Sequence, residues 1–120
     1  LARKSDFTNA ETAMQDGIRA SMTKLGVAST DITAYLTAKG TLDQSSQTAA
    51  INQIAYEAWV ALYLNPEAWS TWRRTGSPNL TPQRGSAVPR RLPYPQTEYS
   101  YNGGNTPAST LFAPKTFWDN

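Results

Sequence analysis

The chain has 120 residues, a net charge of +2 and 39 % hydrophobic content, with neither cysteine nor histidine. That length holds one domain with one modest core. The missing residue types exclude thiol chemistry, disulfides, Cys-based metal sites and a Ser-His-Asp triad, and they remove the commonest general base and zinc ligand. Mean hydropathy is −0.53, and no run approaches the ~18 apolar residues of a membrane span. Leu1 to Asp6 is polar with no apolar run behind it, so it does not read as a signal peptide. Charge is uneven. Residues 1–65 carry five bases and six acids, residues 66–120 six bases and three acids, and all eight prolines lie at or after Pro66. A helical first half and an irregular, mildly basic second half are expected.

In chain order, Thr8-Asn9-Ala10-Glu11 predicts a capping box opening the first helix. Ala10, Ala13, Met14, Gly17, Ile18, Ser21, Met22 and Leu25 then recur at helical spacing, and Gly26 is placed to end the helix. The small residues in this stripe imply close approach of another helix. Ser29-Thr30-Asp31 caps a shorter helix carrying Ile32, Tyr35 and Leu36, stopped by Gly40. A third helix is predicted from Asp43–Ser46 to about Leu64. Its stripe is Ile51, Ile54, Ala55, Ala58, Trp59 and Leu62, and Tyr56, Val60 and Tyr63 widen it, which predicts cover on more than one side.

Asn65-Pro66-Glu67 starts a fourth helix, with Asn65 as cap, and Gly76 and Pro78 end it. Trp69 and Trp72 share a face; the pair reads either as a stacking platform for sugar rings or as a core anchor between helices three and four. Arg73 and Arg74 stand in the last turn, where cations offset exposed carbonyls. At least one is expected to be buried beside Tyr94 or Trp69, bonding Glu98 or carbonyls of residues 88–102. Leu92-Pro93-Tyr94-Pro95 is expected to be rigid and extended, Asn102-Gly103-Gly104-Asn105 a turn, and Phe117-Trp118-Asp119 an aromatic end to the chain.

The residues give catalysis little to work with. Glu57, Glu67 and Glu98 are the carboxylates a glycosidase pair would need, and no motif surrounds them. Asn102-Gly103-Gly104-Asn105 is followed by no lysine or helix start, which excludes a phosphate loop. The arginines of the second half alternate with prolines, and no nucleic-acid motif accompanies them.

Two stretches point further. The first is Glu67-Ala68-Trp69-Ser70-Thr71-Trp72-Arg73-Arg74-Thr75-Gly76-Ser77-Pro78. The second is Pro89-Arg90-Arg91-Leu92-Pro93-Tyr94-Pro95-Gln96-Thr97-Glu98, continued to Asn102. In that order they resemble the C-terminal signature of the SusD/RagB-like proteins, most closely the subgroup described as starch-binding and associated with the outer membrane. Gly17-Ile18-Arg19-Ala20-Ser21 and Tyr56-Glu57-Ala58-Trp59 resemble the family's upstream helices. The resemblance implies a mainly α fold, with about four helices in residues 1–75 and a Pro-rich tail over 76–120 wrapped on the helical body. It implies the C-terminal part of a longer Bacteroidetes surface lipoprotein, lipid-anchored through a segment outside these 120 residues. Such a protein is non-catalytic and cofactor-free. It captures a glycan or other nutrient for a SusC-like TonB-dependent transporter and has no nucleic-acid partner. Trp59, Trp69, Arg73, Arg74, Arg91, Tyr94, Glu98 and Asn102 are the family-signature scaffold. No position matches a ligand motif of the family. The alternative is a stand-alone α-helical module whose Trp, Tyr and Arg face binds a protein.

Overall fold

The computed structural model describes residues 1–85, 87–117 and 119. The chain is mainly α-helical, with no strand among the described residues, and it divides into two compact units, residues 1–78 and 79–120.

The first unit opens on a 3₁₀ turn, Ala2–Lys4, followed by α1 (Phe7–Lys24), α2 (Ser29–Lys39), α3 (Gln47–Ala61) and α4 (Glu67–Thr75). The cap of α1 corrects the sequence expectation. Asp6, not Thr8, stands at the N-cap, and its carboxylate accepts from the Asn9 N–H and from Asn9 Nδ2 at 3.0 Å. Glu11 is thereby freed from a capping box. Its carboxylate accepts instead from the Leu42 N–H at 2.8 Å, tying the α2–α3 loop to α1. The other end follows the expectation. Gly26 has φ +76°, the Val27 N–H bonds the Met22 carbonyl at 3.1 Å, and the Gly26 N–H bonds Thr23 at 3.0 Å. This double closure satisfies the last carbonyls of the helix.

Helix α3 begins where Ser46 accepts from the Ala49 N–H at 3.0 Å. It stops at Ala61, short of the expected Leu64, which has φ +61°. Asn65 caps α4 through its side chain, accepting from the Glu67 N–H at 2.9 Å, and Gly76 closes it at φ +69°. Helix α1 packs on α2 and α3, and α3 packs on α4 and on the N-terminal turn. The core holds Ala2, Ala10, Met14, Ile18, Leu42 and Ala50, with Phe7, Met22, Ile51 and Ile54 against it. Leu42 and Ala50 lie outside the helical stripes read from the sequence.

This core is thin, and the stripes are only partly used. On α1, Ala10, Met14 and Ile18 are buried, but Ala13 and Gly17 are exposed and Leu25 is 78 % exposed. The widened flank of α3 was expected to be covered and is open: Tyr56, Val60 and Tyr63 are 49 %, 46 % and 81 % exposed. Clefts of about 420 and 370 Å³ run along α1 and α3, lined by Ala13, Met14, Ile54 and Ala58.

Gly40 and Gly17 give opposite expectations. A Cβ on Gly40 would stand 2.4 Å from the Leu36 carbonyl oxygen, whereas one on Gly17 meets nothing within 4 Å. Gly40→Ala should therefore lower unfolding stability by about 1–3 kcal/mol. Gly17→Ala, in mid-helix, should raise it by about 0.5–1 kcal/mol. Urea denaturation of the two variants beside the parent checks both signs.

The second unit is mostly irregular, but it contains a helix that the sequence reading did not place. Gln96–Tyr101 forms α5, followed by a 3₁₀ turn at Gly103–Asn105 where a turn was expected. Pro95 precedes the helix in extended conformation, so the stiff segment ends where α5 starts. Thr106 Oγ1 lies within hydrogen-bond distance of the Glu98 and Asn102 carbonyls, at 3.2 and 2.9 Å, and so serves the open end of α5. The Arg90 and Arg91 N–H groups both bond the Leu111 carbonyl, at 2.8 and 3.2 Å, and Arg90 forms an ion pair with Asp119. Trp118, half of the aromatic end, lies outside the described residues.

Candidate functional site

Helix α4 sorts the four residues of its signature by position. Trp72 is 5 % exposed and Arg73 is also 5 % exposed; Trp69 is half-buried. The Arg73 guanidinium carbon lies 4.3 Å from the Trp69 ring centroid. That distance is well inside the range of a cation–π contact, which strengthens as water is removed. Burial of one arginine beside Trp69 was expected from the sequence. Arg74, one residue on, points to the other side. Its Nη2 is 3.5 Å from Glu67 Oε1 and 3.5 Å from Thr71 Oγ1, and both charged side chains are more than half exposed. It is a surface charge on the helix flank.

The rest of the motif fastens the helix end. Ser77 is 7 % exposed and its hydroxyl donates to the Asn52 carbonyl of α3 at 3.2 Å. Thr75 Oγ1 bonds the Thr71 carbonyl at 2.8 Å and accepts from the Ser77 N–H at 3.3 Å. Thus Thr-Gly-Ser terminates α4 and laces it to α3. Trp59, on α3, is half-buried. Of the two readings of the tryptophan pair, Trp72 is a core anchor and Trp69 is the lid over a buried cation.

In the second unit the signature residues also gather locally. The Arg91 guanidinium carbon is 5.2 Å from the Tyr94 ring centroid, and Tyr94 meets Tyr99 edge-to-face at 6.4 Å. Glu98 accepts from Asn102 Nδ2 at 3.2 Å, one turn along α5. These contacts hold a fold.

A cleft that the sequence reading missed lies between α2 and α3. It has a volume of about 510 Å³ and is lined by Tyr35, Lys39, Thr41, Gln53, Tyr56 and Glu57, with Ala38. Tyr35 Oη donates to Glu57, with both carboxylate oxygens in reach at 3.0 and 3.2 Å. Gln53 Nε2 donates to the Thr41 and Lys39 carbonyls at 2.8 and 3.3 Å, and its Oε1 accepts from the Asp43 N–H at 2.6 Å. The rim of the cleft is thus pinned to α3 by one amide. Nothing local in the sequence marks Tyr35 and Glu57 as partners, since 22 residues separate them.

Burial, then the hydrogen bond and the charge of Glu57, push the Tyr35 hydroxyl above its ordinary value of 10.0. A folded-state value raised in this way means that the native protein holds the phenolic proton more tightly than the unfolded chain. Its contribution is complete below about pH 10 and is lost as pH rises through the folded value. Above pH 10 the wild type should therefore lose stability faster than Tyr35→Phe, as thermal melts across pH 9 to 11.5 would show.

Comparison with known families settles the wider assignment. The SusD-like family model described as starch-binding and associating with the outer membrane matches residues 2–95. The chain belongs to the SusD-like family. The match takes in all four helices of the first unit, the Trp-Trp-Arg-Arg motif and the tail as far as Pro95; Glu98 and Asn102 of the resemblance lie beyond it. No curated protein and no solved structure matches the chain. The family's outer-membrane association sits beside a helical content in which, among the described residues, no helix is long and apolar enough to cross a membrane.

Proposed function

We propose that this SusD-like chain is the C-terminal part of a cell-surface lipoprotein that captures glycans or other nutrients. It delivers them to a SusC-like TonB-dependent transporter in the outer membrane. It performs no chemistry on its cargo and is anchored by lipid through a segment outside residues 1–120. The observation that carries this reading is the family match over residues 2–95. The eight signature residues, from Trp59 to Asn102, act as scaffold.

A second observation supports the larger chain. The open clefts along α1 and α3, with Ala13, Gly17 and Leu25 left exposed, are an apolar surface of the kind that soluble proteins rarely leave bare. The remainder of the same chain is the partner that covers it.

Isothermal titration of the native full-length protein with a panel of neutral oligosaccharides, followed by chromatography of the recovered sugar, tests the proposal. Saturable binding with every oligosaccharide recovered at its original length is expected. Shortened products would replace capture with catalysis, and retention of no glycan would remove the ligand class.

A further inference from the structure

We propose that the α2–α3 cleft is a saccharide subsite, with the Tyr56 ring as its stacking face and Glu57 and Lys39 as its hydroxyl partners. The proposal rests on the glycan-capture reading above and adds to it a place on this chain.

Four features of the cleft carry it. The first is the mixture of lining groups. The clefts along α1 are lined mainly by alanine, methionine and isoleucine, which suits an apolar chain. The α2–α3 cleft instead combines two tyrosines with a carboxylate, an ammonium and a hydroxyl. A sugar ring has the matching halves, an apolar C–H face for an aromatic ring and a rim of hydroxyls that both donate and accept.

The second is charge. One acid and one base face the cleft, so the site suits a neutral polyol rather than a phosphate or a polycation. A carboxylate has about four acceptor positions and an ammonium three donors. Tyr35 occupies only part of the Glu57 capacity, which leaves acceptor positions for a pair of neighbouring hydroxyls.

The third is preorganisation. The Tyr35 hydroxyl fixes the Glu57 carboxylate from α2, and Gln53 pins the rim at residues 39, 41 and 43. Groups held in place before the ligand arrives lose less freedom on binding. Tyr35 is in this sense a positioning residue for Glu57.

The fourth is access. Tyr56 is 49 % exposed, and Lys39 and Thr41 are exposed. Tyr56 lines the α2–α3 cleft and not the clefts along α1 and α3 that the remainder of the chain is proposed to cover, so its ring is available for stacking without rearrangement of the core. A volume of about 510 Å³ lies within the roughly 300–1,000 Å³ range of small-molecule sites.

The test is calorimetric titration of the full native chain with maltoheptaose, cellohexaose and a mannohexaose, repeated on Tyr56→Ala, Lys39→Ala and Tyr35→Phe. Tyr56 and Lys39 are exposed, and melting curves that overlay the parent's exclude unfolding as the cause of any loss. At least one sugar should bind, and Tyr56→Ala and Lys39→Ala should each weaken it by about tenfold or more, or abolish one site, as expected for loss of a stacking or charged contact. Tyr35→Phe should weaken it by about threefold, with an altered binding enthalpy, because Glu57 loses its orienting donor. If the parent binds a sugar and both cleft variants bind it within twofold and at unchanged stoichiometry, the cleft is an inter-helix clamp, and glycan capture stands without it. If the parent binds none of the three sugars, this proposal falls, and the panel described above decides the glycan reading on its own.

Discussion

Arg73→Ala is expected to lower the unfolding free energy by about 3–5 kcal/mol, and Arg74→Ala by less than about 1 kcal/mol. The two arginines are neighbours in sequence and opposite in circumstance. Arg73 is 5 % exposed with its guanidinium 4.3 Å from the Trp69 ring centroid. Its removal strips the ring of its cation and opens a cavity in a thin core. Arg74 interacts with Glu67 at 3.5 Å through two largely exposed side chains, where solvent screens the attraction and ordering two long chains offsets it. Arg73→Lys should recover less than half of the loss, since an ammonium lacks the planar fork and stacks poorly. Chemical denaturation of the three variants measures all of this. Equal costs at 73 and 74 would mean that the buried and exposed assignments are wrong.

Trp72→Ala should cost a similar amount, about 3–5 kcal/mol. Trp72 is 5 % exposed on α4, and α4 packs chiefly on α3. Trp69→Ala should cost less than Trp72→Ala, because Trp69 is half-buried and gives up less apolar burial than Trp72. The order of midpoints in urea, parent above Trp69→Ala above Trp72→Ala, is the result that supports Trp72 as anchor. An inverted order would return the pair to the stacking-platform reading.

The legible parts of this chain were those governed by local chemistry. Asn65, Gly26 and Gly76 act where the sequence placed them, because a cap or a left-handed residue is decided within one turn; the cap expected from Ser29-Thr30-Asp31 does not form, since α2 already includes Ser29 and its N-cap is Ala28 with no side-chain hydrogen bond. Burial of one of the two arginines beside Trp69 was expected from the chemistry of the tail, but which of them is buried was not legible. Asp6 and Thr8 are both competent caps, and the earlier one won by adding a second bond to Asn9. Helix α5 was hidden because Gln96–Tyr101 carries no apolar stripe and follows two prolines. It is held by Thr106, beyond its own end. Leu42, 3 % exposed, and Ala50, 0 % exposed, were outside any stripe; Leu42 reaches the core through a loop that Glu11 fixes across 31 residues. The α2–α3 cleft depends on the Tyr35–Glu57 pairing, a non-local choice that no spacing along the chain encodes.

The most direct test of the central claim is isolation of the native protein from outer membranes in mild detergent, with intact mass and partner identity read together. A chain longer than these 120 residues, carrying lipid at its N-terminus and co-eluting with a TonB-dependent transporter in fixed proportion, is the expected result. A free protein of about 13.2 kDa, starting at Leu1 and eluting without an outer-membrane partner, would contradict it.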